Sequence, residues 1–298
     1  MVVLNYNDAI TTIKLLSLIK YYSVISHIIV VDNLSTDNSY EMLKKYENDK
    51  IIVISSKKNG GYGYGNNYGV KYAIEHFNAD YVLICNPDVS FSESTVNECL
   101  STLQSNPNVA VVAPRMMDIN NKKSPYCAWK VREKWIEYLL SELILLRWLL
   151  PNIYYDIDNV QNDMLEVDCV PGAMLMVNSR HFSNVGMYDE NIFLYGEETV
   201  LGIKLKKARL KTFILLNEYF IHIHSVSISK TFNSEYKKRK ILWKSRLYVF
   251  KEYYYCSNMQ ILFTRLIICL SLIEVQLIAF IKNVKSIFAG KYNKKYFL

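Results

Sequence analysis

The sequence lacks the paired cysteines that mark zinc ribbons and disulfide-stabilised folds. There is no Cys-x-x-Cys pair, and several cysteines lie in apolar runs such as YVLICN and LIICL. This distribution predicts reduced, buried thiols in a cytosolic protein. The first residues, MVVLNYNDAITT, contain no basic stretch followed by a long apolar core, so we expect no signal peptide. The six cysteines are Cys85, Cys99, Cys127, Cys169, Cys256 and Cys269.

The two commonest phosphate-binding loops are also missing, although the chain contains the glycine-rich stretch NGGYGYGNNYG, residues 59–69. Counted from Gly61 or from Gly63, the sixth position is not glycine, so the dinucleotide fingerprint fails. The Gly-Lys pair at Gly290 is followed by tyrosine rather than serine or threonine, which excludes a P-loop. The glycine-rich stretch therefore needs another explanation.

Repeats and low-complexity tracts are absent, and 51% of the 298 residues are hydrophobic, which excludes a disordered chain. A net charge of +7 suits an anionic partner such as a nucleotide, nucleic acid or membrane surface. A lysine-rich solvated surface would explain this charge equally well. The basic and aromatic segment 237–255 is typical of an amphipathic helix, so we expect no nucleic-acid binding.

The first hundred residues alternate between apolar strands and helices. This pattern predicts an α/β fold with a Rossmann-like, mainly parallel sheet covered by helices on both faces. In such sheets ligands bind beyond the carboxyl ends of the strands. Asn5, Asp32, the glycine-rich stretch and Asn86-Pro87-Asp88 all lie at or just after the ends of predicted strands, so we expect them to share one site. The predicted strands are VVLNY, HIIVVDN, KIIVIS, DYVLICNPD and NVAVVAP, and the predicted helices cover 9–22, 37–47, 68–77 and 92–104.

A predicted helix at 261–281 raises the question of membrane contact. Its 21 residues would extend about 31 Å, enough to cross a bilayer. It contains Arg265 and Glu274, however, and a charge near the bilayer centre costs about 2.5 to 3.5 kcal/mol. We therefore expect a helix that lies at the membrane interface or packs against the domain, and a second such element at 135–150. Buried core helices remain the alternative. Five lysines would face anionic lipid: Lys282, Lys285, Lys291, Lys294 and Lys295.

Five segments, in order, resemble the inverting family 2 glycosyltransferases, whose catalytic domain has the GT-A fold. They are VVDNLSTDNS, NGGYGYGNNYG, NPDV, VPGAMLMVNSRHFSNVGMYDENIFLYGEE and HIHSVSIS. The NPD and HSVSIS forms are similar to those of the rhamnosyltransferase-like enzymes of capsule, O-antigen and cell-wall polysaccharide synthesis. The resemblance implies a catalytic domain over 1–230, with a nucleotide-binding half (1–114) and an acceptor and catalytic half (115–230). Residues 231–298 would form a helical, membrane-associating extension.

On this resemblance, the ends of the first two strands hold the nucleotide. Asp32 would accept hydrogen bonds from a pyrimidine ring N–H, and Asn5 and Asn7 would line the nucleotide pocket. The alternative for Asp32 is a turn or helix cap, a role for which Ser35 and Asp37 compete.

The glycine-rich stretch would form a loop beside the donor. Its glycines Gly61, Gly63 and Gly65 would let backbone approach the nucleotide sugar, and Asn66 and Asn67 would start the next helix.

A divalent cation, Mg²⁺ or Mn²⁺, would bridge the two phosphates at Asp88. The family's usual Asp-x-Asp has Asn86 at its first position here, so a single strong carboxylate remains, and an NPD turn is the alternative. Aligned on Ser227, the family motif H-x-x-G-x-S selects His222 as a further ligand. His224, which points to the same side of an extended segment, is the fallback.

The catalytic base falls at LYGEETVL, where the family carries Glu-Asp-x-Asp-Leu. Glu198 would take the proton of the acceptor hydroxyl, and Glu197 would orient or replace it, while Val200 stands in place of the second aspartate. Alternatively, both glutamates complement a helix N-terminus. Gly172 and Ala173 match the small pair near the donor sugar.

The sequence thus predicts an inverting, metal-dependent glycosyltransferase on the cytoplasmic face of a bacterial membrane. It would move rhamnose from dTDP-rhamnose, or a sugar from a UDP-sugar, to a lipid-linked saccharide. A nucleotidyltransferase is disfavoured because LNYNDAI lacks a basic glycine-rich signature. A non-catalytic nucleotide-sugar-binding scaffold is the alternative that Asn86, Val200 and Ser225 suggest. The oligomeric state does not follow from the sequence.

Overall fold

A computed structural model of the chain describes residues 1–141, 143, 146, 149–223 and 235–293. The chain divides into two compact units. Unit 1 contains Met1–Val131 and Ile153–Thr231, and unit 2 contains Arg132–Asn152 and Phe232–Leu298. Residues 132–152 therefore group with the C-terminal segment, whereas the predicted boundaries place them inside the catalytic domain.

Unit 1 is built on a nine-stranded sheet. The strands are β1 (Val2–Asn5), β2 (Ile28–Asp32), β3 (Ile51–Ser55), β4 (Tyr81–Cys85), β5 (Val89–Phe91), β6 (Val109–Met117), β7 (Met164–Val167), β8 (Met174–Asn178) and β9 (Lys211–His222). The helices are α1 (Ala9–Ile19), α2 (Ser39–Lys44), α3 (Tyr62–Phe77), α4 (Glu93–Ser105), α6 (Ser179–Asn184) and α7 (Glu197–Lys207), and α5 (Trp135–Ser141) belongs to unit 2.

The strand order is β3-β2-β1-β4-β8-β6-β9-β5, with β7 also paired to β9. Neighbours from β3 to β4 are parallel, so their carboxyl ends share one edge of the sheet. β8 runs antiparallel to both β4 and β6, and β9 is parallel to β6. The predicted α/β sheet flanked by helices is confirmed, and its second half is mixed.

The central strands are buried on both faces, which explains their continuous apolar sequences. All five residues of β2 are buried, and Val2 and Val3 of β1 are fully buried. Helices on the two faces exclude water from a parallel sheet, so alternation of polar and apolar residues disappears there. The ends of these strands are the first positions where polar side chains can serve a ligand.

The glycine-rich stretch is mostly helix, and the predicted loop is wrong. α3 begins at Tyr62 rather than Tyr68, so Gly63 and Gly65 are helical. A Cβ atom on Gly65 would lie 2.3 Å from Leu4 Cδ1, and one on Gly69 would lie 2.5 Å from Val2 Cγ1. Glycine in a helix costs about 1 kcal/mol relative to alanine. Here it lets α3 pack directly against β1.

The two asparagines of this stretch lie inside α3 and do not start it. Asn66 donates to the Tyr62 carbonyl at 3.1 Å. Asn67 donates to the Tyr188 carbonyl at 2.9 Å and accepts from the Tyr188 amide at 3.1 Å. The two Asn67 bonds hold the segment around Tyr188 against α3.

Gly61 precedes α3 and has no room for a side chain. Its φ is +89°, and a Cβ atom would lie 2.0 Å from the Phe193 carbonyl oxygen. The amide of Tyr62 donates to this same carbonyl at 3.1 Å. Gly61 is therefore the point where the segment before α7 crosses the start of α3.

We predict that Gly61→Ala destabilises the protein much more than Gly186→Ala. Both glycines have positive φ, which costs an alanine about 1 to 2 kcal/mol, but only Gly61 also meets backbone. At Gly186 the nearest neighbour of such a Cβ atom would be the flexible Lys204 Nζ, 3.7 Å away. Urea unfolding of both variants would measure the difference. Equal losses of unfolding free energy would show that the Phe193 contact does not matter.

The cysteine prediction is confirmed for five residues and wrong for one. All six thiols are free, and Cys269 is exposed while the others are buried. Burial raises the pKa of the Cys85, Cys99 and Cys169 thiols above the usual value. Their thiolate fraction at neutral pH is therefore small, and they are unreactive.

We predict that a thiol reagent such as DTNB modifies Cys269 rapidly in the native protein. The five buried thiols should react only when the chain unfolds, because they are both inaccessible and protonated. A Cys269→Ser variant serves as the control and should lose the fast phase. A fast phase that persists in this variant would contradict the burial of the other five.

Unit 2 contains three described helices, α5 (Trp135–Ser141), α8 (Glu235–Glu252) and α9 (Asn258–Asn293). The predicted helix at 135–150 is thus described as α5 only as far as Ser141, and the one at 261–281 lies within the longer α9. Trp243 of α8 is buried and donates to Ser271 Oγ of α9 at 3.2 Å. Tyr138 packs edge-on against Phe250, with ring centroids 5.5 Å apart. Among the described residues, one helical segment, Asn258–Leu277, is long and apolar enough to cross a membrane.

Candidate active site

The carboxyl ends of β1 and β2 are joined by a polar network centred on Asp32. Asp32 Oδ1 accepts from Asn5 Nδ2 at 2.9 Å and from the Ser35 hydroxyl at 2.5 Å, and Oδ2 accepts from the Ser35 amide at 2.9 Å. Asn5 is fully buried and its Oδ1 accepts from the Thr12 hydroxyl. Asp32 thus makes the turn contacts that were its alternative role. A carboxylate has about four acceptor positions, and three of those of Asp32, which is 1% exposed, are occupied by these bonds.

Asn7 extends this network outward. Its backbone amide donates to Ser35 Oγ at 2.9 Å. Its side-chain Nδ2 donates to Thr36 Oγ1 at 3.0 Å, and its Oδ1 accepts from the Thr36 backbone amide at 2.8 Å. Asn7 has a φ of +52°, which this pairing holds. On the other side, Asn33 donates to the Gly61 carbonyl at 3.1 Å and so connects the end of β2 to the start of α3.

Asp88 and His222 lie in contact although 134 positions separate them in the chain. His222 Nε2 is 3.2 Å from Asp88 Oδ1. The antiparallel register of β5 and β9 creates this contact, because it pairs Val89 with His222 and lets the Ile223 amide donate to the Asp88 carbonyl. Asp88 is 7% exposed. His224 lies outside the described residues, as do Ser225 and Ser227.

A divalent cation would find one carboxylate and one imidazole in this pair. No group of three or more His, Cys, Asp and Glu residues that could hold a metal exists among the described residues. The pair is therefore too small for a closed structural site. It fits a cation that takes its remaining ligands from a diphosphate and water.

Residues that follow β4 meet residues that precede β8. The Asn86 amide donates to the Ala173 carbonyl at 2.9 Å, next to the Cys85–Met174 pair of the β4–β8 ladder. Asn86, Gly172 and Ala173 are thereby adjacent.

Gly172 lies between Tyr62 of α3 and Glu198 of α7. The Tyr62 hydroxyl donates to the Gly172 carbonyl at 2.5 Å, and the Gly172 amide donates to Glu198 Oε1 at 3.3 Å. A Cβ atom on Gly172 would lie 2.8 Å from both the Glu198 carboxylate and the Tyr62 hydroxyl. Glycine at position 172 therefore lets both side-chain ends approach this backbone closely.

Glu197 and Glu198 begin α7, and they differ in exposure. Glu197 is 2% exposed, and its side chain lies close to the position that a Cβ on Gly63 would occupy, 3.8 Å from Cγ. Glu198 is half-buried and is the better placed of the two to meet an acceptor. Both occupy the first turn, so they also complement the N-terminal end of the helix dipole, as the alternative proposed.

Tyr62 is a residue that sequence reasoning missed. Burial raises its pKa well above the usual value for tyrosine, and Tyr188 and the nearby charges of Glu198 and Glu197 raise it further. The phenol therefore stays protonated and keeps its hydrogen bond to Gly172. The available signal was a large aromatic residue between glycines in GGYGYG. We interpreted this stretch as a loop and therefore gave Tyr62 no structural role.

The candidate site residues lie outside a cavity that α3 lines together with the segment around Tyr188. A cavity of about 480 Å³ is lined by residues that include Lys71, Asp189, Glu190 and Lys204. None of the candidate nucleotide, metal or catalytic residues lines it. Asp189 accepts from the Asn191 amide at 2.9 Å, as expected for a structural turn.

The fold is shared with solved glycosyltransferases. The crystal structure of GalNAc-T7 with UDP, GalNAc and Mn²⁺ matches with a TM-score of 0.57 and 12% identity, over 76% of this chain and 43% of that one. The mannosyltransferase PcManGT from Pyrobaculum calidifontis, with GDP-Man and Mn²⁺, matches with a TM-score of 0.55 and 12% identity, over 91% and 69%. These likenesses confirm the predicted GT-A fold.

Two curated relatives align over 193 residues. The low-salt glycan biosynthesis hexosyltransferase Agl10 of Haloferax volcanii is 26% identical, over 63% of this chain and 56% of its own length. An N-acetylglucosaminyl-diphospho-decaprenol L-rhamnosyltransferase of Mycobacterium tuberculosis is 24% identical, over 61% of each chain. The chain thus spans about six tenths of the length of these relatives.

The family model "Glycosyl transferase family 2" matches residues 2–178, more than half of the chain. This range contains the β1–β2 network, Asp88 and Gly172, whereas Glu198 and His222 lie beyond it. The chain belongs to glycosyl transferase family 2.

Proposed function

We propose that the protein is an inverting, metal-dependent glycosyltransferase that moves a sugar from a nucleoside diphosphate to an acceptor hydroxyl. The observation that carries this proposal is the hydrogen bond between the Gly172 amide and the Glu198 carboxylate. The next residue, Ala173, accepts a hydrogen bond from Asn86 of the NPD segment. This arrangement joins a candidate base to the strand end that carries Asp88. Membership of family 2 supports the same reaction.

Glu198 acts as the general base. It accepts the proton of the acceptor hydroxyl while the hydroxyl oxygen attacks the anomeric carbon. The bond from that carbon to the diphosphate oxygen breaks at the same time, and the nucleoside diphosphate leaves with the bonding electrons. A single displacement of this kind inverts the anomeric configuration. Gly172 and Tyr62 keep the carboxylate in place.

Asp88 and His222 would hold the cation beside the diphosphate. A bound Mg²⁺ or Mn²⁺ supplies charge that stabilises the leaving group. Asp32, Asn5 and Asn7 would hold the nucleoside at the ends of β1 and β2. The two structural neighbours were solved with Mn²⁺, which supports a divalent cation.

We further propose rhamnose from dTDP-rhamnose, or a sugar from a UDP-sugar, as the donor, and a lipid-linked saccharide as the acceptor. The support is the mycobacterial relative, which is an L-rhamnosyltransferase named for the acceptor N-acetylglucosaminyl-diphospho-decaprenol. We propose that the enzyme meets such an acceptor at the cytoplasmic face of a bacterial membrane, in polysaccharide synthesis such as that of capsules.

We predict that Glu198→Gln lowers turnover by about 10²- to 10⁴-fold, the usual contribution of a general base, and leaves donor binding intact. Glutamine keeps the shape and can still accept from the Gly172 amide. The measurement is nucleoside diphosphate release across several donors, with calorimetry for binding. Glu166→Gln, at an exposed position of β7, is the matched control. Wild-type turnover in Glu198→Gln would refute the assignment, and binding without turnover in the wild type would indicate a scaffold.

We predict that Asp88→Asn raises the Mn²⁺ or Mg²⁺ concentration needed for half-maximal activity by about 10-fold or more, because an amide is a weaker cation ligand than a carboxylate. A cation titration of activity and of donor binding would show it, with His222→Ala expected to shift in the same direction. Asp163→Asn, at an exposed residue that accepts from Asn217, is the control. An unchanged cation requirement in Asp88→Asn would remove the metal role from this pair.

A further inference from the structure

Helix α9 is buried on its polar side and exposed on its apolar side. Thr264 and Ser271 are fully buried and Glu274 is 9% exposed. A surface helix of a water-soluble domain normally shows the reverse arrangement. Seven large apolar side chains of α9 are between 45% and 77% exposed: Met259, Leu262, Phe263, Leu266, Leu270, Ile273 and Leu277.

These seven residues, which we call the α9 stripe, form one continuous face. Apart from the adjacent pair Leu262 and Phe263, successive members are three or four residues apart, and all seven lie within about 100° of the helix circumference, over roughly 27 Å of its length. Arg265 and Gln276 are exposed on one flank of the α9 stripe. Contiguous exposed apolar surface of this size marks an interaction site.

The polar side of α9 is occupied by α8 of the same unit. Trp243 of α8, 2% exposed, donates to Ser271 Oγ at 3.2 Å. The buried hydroxyl thus has a partner, and α8 covers the side of α9 opposite the α9 stripe. The apolar side faces outward because its polar side is the one that α8 binds.

The positive charge of the chain is concentrated in this segment. Residues 232–298 contain 13 of the 35 Lys and Arg residues and 3 of the 28 Asp and Glu residues. That segment therefore carries +10 and the rest of the chain −3. An apolar stripe on a strongly basic segment complements an anionic bilayer, which offers acyl chains and negative headgroups together.

We propose that the α9 stripe docks the protein onto an anionic lipid bilayer, with α9 lying in the plane of the interface. The inference deepens the proposed function, because a lipid-linked acceptor is reached from a membrane surface. It rests on the α8–α9 contacts and the charge distribution, and not on the catalytic residues.

A spanning arrangement is inconsistent with these contacts. If α9 crossed the bilayer, α8 would enter the hydrocarbon region with it, because the two helices are packed together. The exposed side of α8 carries Lys237, Lys240, Lys244 and Lys251. Each such charge costs about 2.5 to 3.5 kcal/mol near the bilayer centre. In the plane of the interface, the same lysines reach headgroups or water.

A second copy of the chain is the less suitable occupant of the α9 stripe. Six of its residues follow the alternating four-and-three spacing of a coiled-coil seam, so the geometry alone permits pairing. Pairing would bring two segments of +10 together, however, whereas docking onto anionic lipid neutralises the charge. Electrostatics therefore favour the bilayer.

The test is flotation of the full chain with phosphatidylcholine vesicles that contain or lack phosphatidylglycerol. We expect binding to the anionic vesicles, and a loss of about 10-fold or more in the variant Leu266→Glu/Leu270→Glu, since both side chains would enter the acyl region. The matched control is Ile10→Glu/Leu18→Glu on α1. Its residues are equally exposed (64% and 56%, against 62% and 57%), and it adds the same charge.

Four outcomes would overturn the proposal: no binding by the wild type, equal binding by both double variants, equal binding to neutral vesicles, or resistance to alkaline carbonate extraction, which indicates a spanning helix. A concentration-dependent dimer in ultracentrifugation that Leu266→Glu/Leu270→Glu dissociates would assign the α9 stripe to a second copy. Turnover with a water-soluble acceptor should be unchanged in this variant. If the wild type turns over the soluble acceptor but does not bind vesicles, the docking proposal fails and the proposed function stands. If the wild type binds anionic vesicles but shows no turnover, the proposed function fails and docking stands.

Discussion

The close packing of α3 against β1 is the constraint on which the rest of the candidate site depends. It is possible because Gly65 and Gly69 present no side chain to Leu4 and Val2. The packing fixes the start of α3, and with it the position of Tyr62. Tyr62 in turn bonds to the carbonyl of Gly172, whose amide bonds to Glu198. Substitution of Gly65 or Gly69 would therefore displace the Glu198 carboxylate, although neither glycine touches it.

Two different strand pairings bring the candidate site residues together. Asn5 and Asp32 meet because β1 and β2 are parallel neighbours, which pair them directly in the ladder. Asp88 and His222 meet only because β5 returns antiparallel along β9. The first arrangement follows from the alternation of strands and helices. The second depends on a short strand of three residues, which has no distinct sequence signal.

The buried strands and the polar residues at their ends were predictable from the sequence, because continuous apolar runs are what a doubly covered sheet requires. The start of α3 was not, since GGYGYG has low helix propensity and tertiary packing overrides it. Whether His222 or His224 faces Asp88 could not be read from a period of two, and the β5–β9 register brings His222 to Asp88. The apolar composition of α9 was evident, but which side of the helix α8 would bind was not.

The reversed direction of β8 has a consequence for how such a domain can change. β6 is parallel to β9 and antiparallel to β8, and β8 is antiparallel to β4. The connection from β6 to β8 enters β8 at the edge that carries Asp88 and Gly172, and on its way it adds β7 to β9. Because β9 ends at His222, a change in the length of this connection also reaches the strand that holds the partner of Asp88.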